Sequence, residues 1–209
     1  MLSIIQAAGW PIVPLILCSI VALAIVLERA TGLTATRVAP PHLLDEVIAL
    51  TAVRVPASEV VNKLADGSVL GTVLASGLRA VILEPRISES ALRGTVESAG
   101  RAAVHRLERF MNTLGTIASA APLLGLMGTV IGMIEIFGSQ SATSNNPAML
   151  AHGISVALYN TAFGLMIAIP SLMFYRYFRG LIEAYTLRLE QASDSLIPCL
   201  LSVVRSQAP

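Results

Sequence analysis

The chain has 209 residues, of which 55% are hydrophobic and only 13% are charged, and its mean hydropathy is +0.73. Soluble domains usually carry about 25% charged residues, so this composition excludes an ordinary soluble protein and predicts a membrane protein embedded in a lipid bilayer. The formal net charge of +1 gives no bias towards polyanions, and we expect no nucleic-acid partner.

The sequence lacks the common motifs of catalysis and metal binding. It contains no Gly-rich phosphate loop and no HExxH, CxxC or GxSxG motif, and its 3 histidines are scattered. Cys18 and Cys199 lie far apart without metal-ligand spacing, and we interpret both as reduced, buried thiols. We therefore expect no enzyme activity, no metal site and no cofactor.

The first apolar segment predicts a membrane span over residues 11–28, close to the roughly 20 residues that a spanning helix needs. Trp10 precedes it, as an aromatic anchor at the headgroup level does, and Glu28 and Arg29 end it. A cleaved signal peptide is the alternative. It is the weaker interpretation, because the first ten residues contain no Lys or Arg and no small-residue cleavage motif follows the apolar run.

Two further apolar segments predict a second span over residues 112–138 and a third over residues 150–175. Between them, residues 139–149 form a turn-rich loop without any charged residue. All 14 Lys and Arg residues fall in the regions 29–109 and 176–205. The positive-inside rule therefore places these two regions in the cytoplasm and the N-terminus and the loop on the opposite side.

Residues 29–111 predict a cytoplasmic domain made of helices. Its apolar residues recur near helical spacing, and prolines at Pro40, Pro41, Pro56 and Pro85 mark breaks between helices. The two apolar repeats are Leu43, Leu44, Val47, Ile48 and Leu50, and Val69, Val73, Leu74, Leu78 and Val81.

A further helix is predicted to begin after Ser88, which is a good N-cap residue. No proline follows before Pro122, so we expect one uninterrupted helix from Ser88 into the second span. Charged residues follow one another along it at intervals of three or four, which predicts one solvated face of paired charges. They are Arg93, Glu97, Arg101, His105 and Glu108.

Residues 176–209 are predicted to form the cytoplasmic C-terminal segment, in which the third span continues as a helix. This helix should reach Glu190 or beyond and end before Pro198. Both long helices should extend some tens of ångströms past the bilayer, at about 1.5 Å per residue. The apolar residues on the cytoplasmic part of the last helix favour an oligomeric barrel that covers them. These residues are Leu181, Ile182, Leu187 and Leu189.

Small and polar residues form a stripe along each of the last two spans. Asn160 and Thr161 in the third span either bond to neighbouring helices or line an ion path, because burying an unpaired amide or hydroxyl in lipid is costly. Thr129 lies at the edge of the stripe in the second span, and Pro122 and Pro170 predict helix kinks. The helix-packing stripes are Ala118, Ala121, Gly125, Gly128, Gly132 and Glu135, and Gly153, Ala157, Thr161, Gly164, Ala168 and Ser171.

Glu135 is the only Asp, Glu, Lys or Arg between Phe110 and Tyr175. It lies about one turn from the outer end of the second span, where the cost of a charge in the membrane falls. It could reach the interface, or form a titratable pair with His152 across the loop. We favour a structural or gating role at the outer mouth over a role as proton carrier.

Two motifs in these spans resemble the MotA/TolQ/ExbB proton channel family. They are APLLGLMGTVIGMIEIF over residues 121–137 and GISVALYNTAFGLMIAIP over residues 153–170. Three spans with a long domain between the first and the second are similar to the ExbB and TolQ branch, whereas the MotA branch has four spans. The predicted fold is therefore an all-α membrane protein whose long second and third helices extend into a helical cytoplasmic domain.

The resemblance implies a subunit of a proton-driven motor in the bacterial inner membrane, with residues 1–10 and 139–149 in the periplasm. It implies a homopentamer around the single transmembrane helices of two copies of an ExbD-like or TolR-like partner. An aspartate of that partner is taken to carry the proton, and Thr129 and Thr161 correspond to the threonines that face it. The motor would energise one of two processes, either uptake across the outer membrane through a TonB-like protein or outer-membrane maintenance as in the TolQ branch.

One position departs from the family pattern, because many ExbB and TolQ members carry a glutamate where this chain has Val156. Either proton passage uses the partner's aspartate with Thr161, Asn160 and water, which we favour, or Glu135 takes over part of the role. Two other functions are weighed against the motor. One is a scaffold that anchors a periplasmic partner without conducting, and the other is a solute transporter, for which internal repeats are missing.

Overall fold

The computed structural model describes residues 10–53, 56–139 and 147–207. Every regular element within these ranges is an α-helix, which confirms the predicted all-α fold class. In chain order the helices are α1 (Ile12–Gly32), α2 (Ala35–Val38), α3 (Leu43–Val53), α4 (Ser58–Gly67), α5 (Val69–Leu83), α6 (Glu89–Leu107), α7 (Met111–Ser139) and α8 (Pro147–Gln207).

Three stretches of the described chain are long and apolar enough to cross a membrane. They are Ile12–Gly32 in α1, Glu89–Gly138 across α6 and α7, and Gly153–Val204 in α8. The second and third are 50 and 52 residues long, more than twice the roughly 20 residues that a bilayer requires. This confirms a three-span membrane protein in which the last two helical stretches extend beyond their spans.

The chain divides into two compact units. The membrane unit comprises the described residues of 1–28 and 110–177, and the extramembrane unit those of 29–109 and 178–209. In the membrane unit, Leu15 of α1 packs with Ala121 of α7 and Ala168 of α8. Large apolar side chains on all three helices point outward, as lipid-facing residues do. Examples are Leu17, Leu23, Leu123, Ile134, Met166 and Met173.

The extramembrane unit has a core of large aliphatic side chains. Gly77 of α5 is buried in it, and a methyl group added there would come within 3.0 Å of Val96 Cγ2 and 3.3 Å of Leu200 Cδ1. Helices α5, α6 and α8 therefore converge closely at this point. The fully buried residues around it are Val73, Leu74, Leu78, Leu92, Val96, Leu196, Ile197 and Leu200.

The helix boundaries of the extramembrane unit follow the signals in the sequence. The predicted prolines all lie between helices, with Pro56 before α4 and Pro85 after α5. Ser88 caps α6 as predicted, because its Oγ accepts a hydrogen bond from the Ala91 amide at 3.3 Å. The cysteines are free, as expected, but both are half-buried rather than buried.

The prediction of one uninterrupted helix from Ser88 into the second span is wrong. Helix α6 ends at Leu107, α7 begins at Met111, and Phe110 between them has a left-handed φ of 63°. The buried guanidinium of Arg29 donates a hydrogen bond to the Leu107 carbonyl at 2.9 Å. Because this carbonyl would otherwise accept from the next helical turn, Arg29 stabilises the helix end.

The last helix also differs from the prediction, because α8 runs through Pro198 and ends at Gln207. A proline inside a helix costs about 3 kcal/mol relative to alanine. Here Leu196, Ile197 and Leu200 on either side of Pro198 are buried in the extramembrane core. Their burial offsets the loss, since each large aliphatic side chain contributes about 1.5–3 kcal/mol.

The apolar residues that suggested an oligomeric barrel have different surroundings. Ile182 and Leu189 are buried within the chain itself, whereas Leu187 is exposed. Two of the four residues are thus covered by the chain itself, so the apolar character of these four residues does not by itself require an oligomer. The exposed face of α8 that includes Leu187 is what another subunit could still cover.

Candidate functional site

The candidate site lies in the membrane unit, where α7 and α8 touch along their small residues. A methyl group added to Gly125 would come within 2.7 Å of the Asn160 carbonyl oxygen and 3.0 Å of Thr161 Cα. One added to Gly164 would come within 2.6 Å of the Ala121 carbonyl oxygen. The two backbones are therefore in direct contact, which only glycine allows at these positions.

The pairs of residues in contact show that α7 and α8 are antiparallel within this unit. As the residue number rises along α7, the number of the contacting residue in α8 falls. The pairs are Ala121 with Gly164, Gly125 with Thr161, Gly128 with Asn160, Gly132 with Ala157, and Ile136 with Gly153. The glycines named from the sequence as packing residues thus all lie at this one helix–helix contact.

Asn160 is the one amide side chain in this contact, and its residue is only 2% exposed. It packs directly on Gly128, where an added methyl group would come within 2.9 Å of Asn160 Cβ and 3.0 Å of Nδ2. The structure therefore places Asn160 between the two helices of one chain and not on an open surface. Asn160 thus contacts the neighbouring helix, and its role in an ion path stays a prediction.

Thr129 and Thr161 each directly follow a residue of the Gly128–Asn160 contact, and both are half-buried. From the antiparallel pairing, they lie within about one helical turn, or 5.4 Å, of each other along the helix axes. The Thr129 hydroxyl donates to the Leu126 carbonyl at 2.7 Å. Thr129 also lies beside Val130 and Met133 on an open, largely apolar part of the α7 surface.

Glu135 lies about 1.7 helical turns further along α7 from Thr129, and it is exposed. Its predicted partner, the His152 side chain, lies outside the part of the chain that the structure describes, as does the side chain of Val156. The pairing therefore stays a prediction. Pro122 and Pro170 lie inside α7 and α8, at positions where each removes one backbone hydrogen-bond donor.

The predicted charged face of α6 lies in the extramembrane unit. Glu97 and Arg101 pair along the helix at 3.6 Å, and Arg93 reaches across to Asp194 of α8 at 3.0 Å. Together with the buried Val96 and Leu189, these residues border a groove of about 700 Å³. All the paired charges are solvent-exposed, and such pairs contribute at most about 1 kcal/mol each.

A family model for the MotA/TolQ/ExbB proton channel family matches residues 65–191, well over half of the chain. The chain belongs to this family. The match includes α5 to α7 and the part of α8 that carries Asn160 and Thr161. It confirms the resemblance inferred from the two sequence motifs.

Individual members of the family are similar over different shares of the chain. The ExbB-like 3 biopolymer transport protein of Synechocystis sp. is 33% identical over 193 residues, which are 90% of each chain. The ExbB of Pseudomonas putida is 33% identical over 68% of this chain and 44% of its own length. The Tol-Pal system protein TolQ of Haemophilus influenzae is 32% identical over 60% of this chain and 55% of its own.

Two structural features of this family member were missed from the sequence. One is the packing of Asn160 on Gly128, and the other is the hydrogen bond from Arg29 to Leu107. The packing of Asn160 could have been suspected, because Asn160 directly precedes Thr161, which belongs to the stripe of small and polar residues along the third span. The second joins residues 78 positions apart and left no signal in the local pattern.

Proposed function

We propose that this chain is the channel-forming subunit of a proton-driven motor in the bacterial inner membrane. The observation that carries the proposal is the position of Thr129 and Thr161. Both residues directly follow a residue of the α7–α8 contact in a proton channel family member, and the other outward side chains of this unit are largely apolar. Hydroxyl groups can pass a proton along hydrogen bonds without carrying a charge themselves.

The proton carrier would come from a second protein. Between residues 110 and 175 this chain has a single acidic residue, Glu135, which is exposed near one end of α7. We therefore propose an ExbD-like or TolR-like partner, present as a dimer of single-span chains inside a pentamer of this chain. An aspartate on its transmembrane helix would titrate beside Thr129 and Thr161, while Glu135 and His152 act at the outer mouth.

The orientation proposed for the complex follows from the charge distribution. Residues 29–111 and 176–209 contain all 14 Lys and Arg residues and would lie in the cytoplasm. The loop at 139–149 and the N-terminal residues 1–10 would face the periplasm. The partner's periplasmic part would then transmit work to a TonB-like protein or another envelope system.

Proton flux in proteoliposomes that contain the chain with its partner tests this function. We expect Thr161→Val and Thr129→Val each to reduce the flux by about tenfold or more, since valine has nearly the shape of threonine but lacks the hydroxyl that donates and accepts hydrogen bonds. Thr116→Val is a matched control, because the Thr116 hydroxyl also bonds to a carbonyl of its own helix, at 2.9 Å, and is exposed. Glu135→Gln should leave most of the flux intact.

The same measurement separates the motor from a scaffold. Unchanged flux in both threonine variants, with the complex still assembled, would contradict the channel and favour a non-conducting anchor. Similarity to a protein of the Tol-Pal system makes outer-membrane maintenance the second candidate process. Restoration of detergent resistance in a strain lacking TolQ, without restoration of TonB-dependent uptake in a strain lacking ExbB, would favour it.

A further inference from the structure

The contact between α7 and α8 raises the question of what sets its register. Helix pairs joined by small residues can slide, because one glycine recess is much like the next. Here α7 offers Gly125, Gly128 and Gly132 at intervals of three and four. A slide of one helical turn, about 5.4 Å, would replace one glycine contact by another and leave the backbones nearly as close.

Asn160 breaks this equivalence. It is the single amide in the contact, it is 2% exposed, and it fills the recess above Gly128 with both Cβ and Nδ2 at contact distance. At Gly125 the recess is already filled by the backbone of α8, since an added methyl group would lie 2.7 Å from the Asn160 carbonyl oxygen. At Gly132 the nearest neighbour of such a group is Ala157 Cβ at 3.5 Å.

We infer that Asn160 is a positioning residue: by seating on Gly128 it holds α7 and α8 in the one register that keeps Thr129 and Thr161 within a turn of each other. A single buried asparagine fixes register in the same way in coiled coils, at some cost in stability. The inference rests on the proposed function only in that these two threonines serve the proton path.

The register can be measured directly by disulfide cross-linking in the full complex. A Cβ atom added at position 132 would lie 3.5 Å from Ala157 Cβ, at the edge of the range of about 3.5–4.5 Å that disulfides adopt. With Cys18 and Cys199 replaced by alanine, Gly132→Cys with Ala157→Cys reports the native register. Gly132→Cys with Gly153→Cys reports a slide of one turn.

Asn160→Ala is the test variant. We expect it to lower the yield of the 132–157 disulfide and to raise that of the 132–153 disulfide by at least about threefold each, as sliding becomes permitted. Proton flux should fall by about tenfold. Gly128→Ala, which removes the recess, should have the same two effects, whereas Gly132→Ala is the matched control and should change neither flux nor the assembled amount of complex.

Each other outcome overturns the inference in a recognisable way. If Asn160→Ala keeps the native cross-link but loses flux, Asn160 acts in the proton path itself and does not set the register. If it keeps both the native cross-link and the flux, the small residues suffice. If Thr129→Val and Thr161→Val leave the flux unchanged, the proposed function fails, while the cross-linking yields still decide what Asn160 does to the register.

Discussion

The α7–α8 contact of the membrane unit and the core of the extramembrane unit bury different kinds of residue. At the α7–α8 contact of the membrane unit the helices touch through glycine and alanine, and large side chains such as Leu123 and Met166 point outward. In the extramembrane unit the large side chains are inside, as Leu74 and Leu196 show. Lipid solvates leucine as well as a protein core does, so close backbone contact drives association in the membrane. In water, burial of apolar area drives it.

The largest expected effect is in the extramembrane core. Leu74→Ala removes a side chain that is 0% exposed, and it should lower the free energy of unfolding by about 2–5 kcal/mol. Leu123→Ala removes the same atoms from a residue that is 66% exposed, and it should change stability little. Thermal unfolding of the detergent-solubilised complex, followed by circular dichroism, measures both. Equal losses would contradict the contrast drawn between the units.

A second, smaller effect is expected where the extramembrane unit uses a polar group to end a helix. Arg29→Met keeps an unbranched side chain with an apolar stem but removes the buried hydrogen bond to Leu107, which should cost about 1.5–3 kcal/mol. Hydrogen exchange of the amides at the turn after Leu107 should accelerate. Arg37→Met, at an exposed arginine of α2, is the control. Unchanged exchange in Arg29→Met would show that the turn forms without this bond.

The smallest effects come from glycine, and their signs should differ between the units. Gly125→Ala places a methyl group 2.7 Å from a carbonyl oxygen of α8, so the helices must separate, at a cost of at least about 1 kcal/mol. Gly94→Ala in α6 meets nothing within 4 Å and should stabilise by up to about 1 kcal/mol through helix propensity. Thermal unfolding compares them. Stabilisation by Gly125→Ala would show that the α7–α8 backbone contact is looser than described.

The predictions agree with the structure where a feature depends on neighbouring residues, and disagree where it depends on residues distant in the sequence. The breaks between helices at Pro56 and Pro85 and the cap at Ser88 were predictable, because each depends on a few neighbouring residues. The end of α6 at Leu107 was not, since it depends on Arg29 in a distant helix. At the candidate site, the sequence singled out Thr129 and Thr161 through family motifs, but left open whether Asn160 bonds to a neighbouring helix or lines an ion path.

The sequence by itself determined the class of the protein and the number of its spans. Apolar runs of sufficient length have one stable solution in a bilayer, which is a helix with every backbone hydrogen bond made internally. Only the tertiary structure decided the break after Leu107, the continuation of α8 through Pro198 and the seating of Asn160 on Gly128. In each case the local conformational preference of the residues is worth a few kcal/mol at most, and contacts between residues distant in the sequence outweigh that preference.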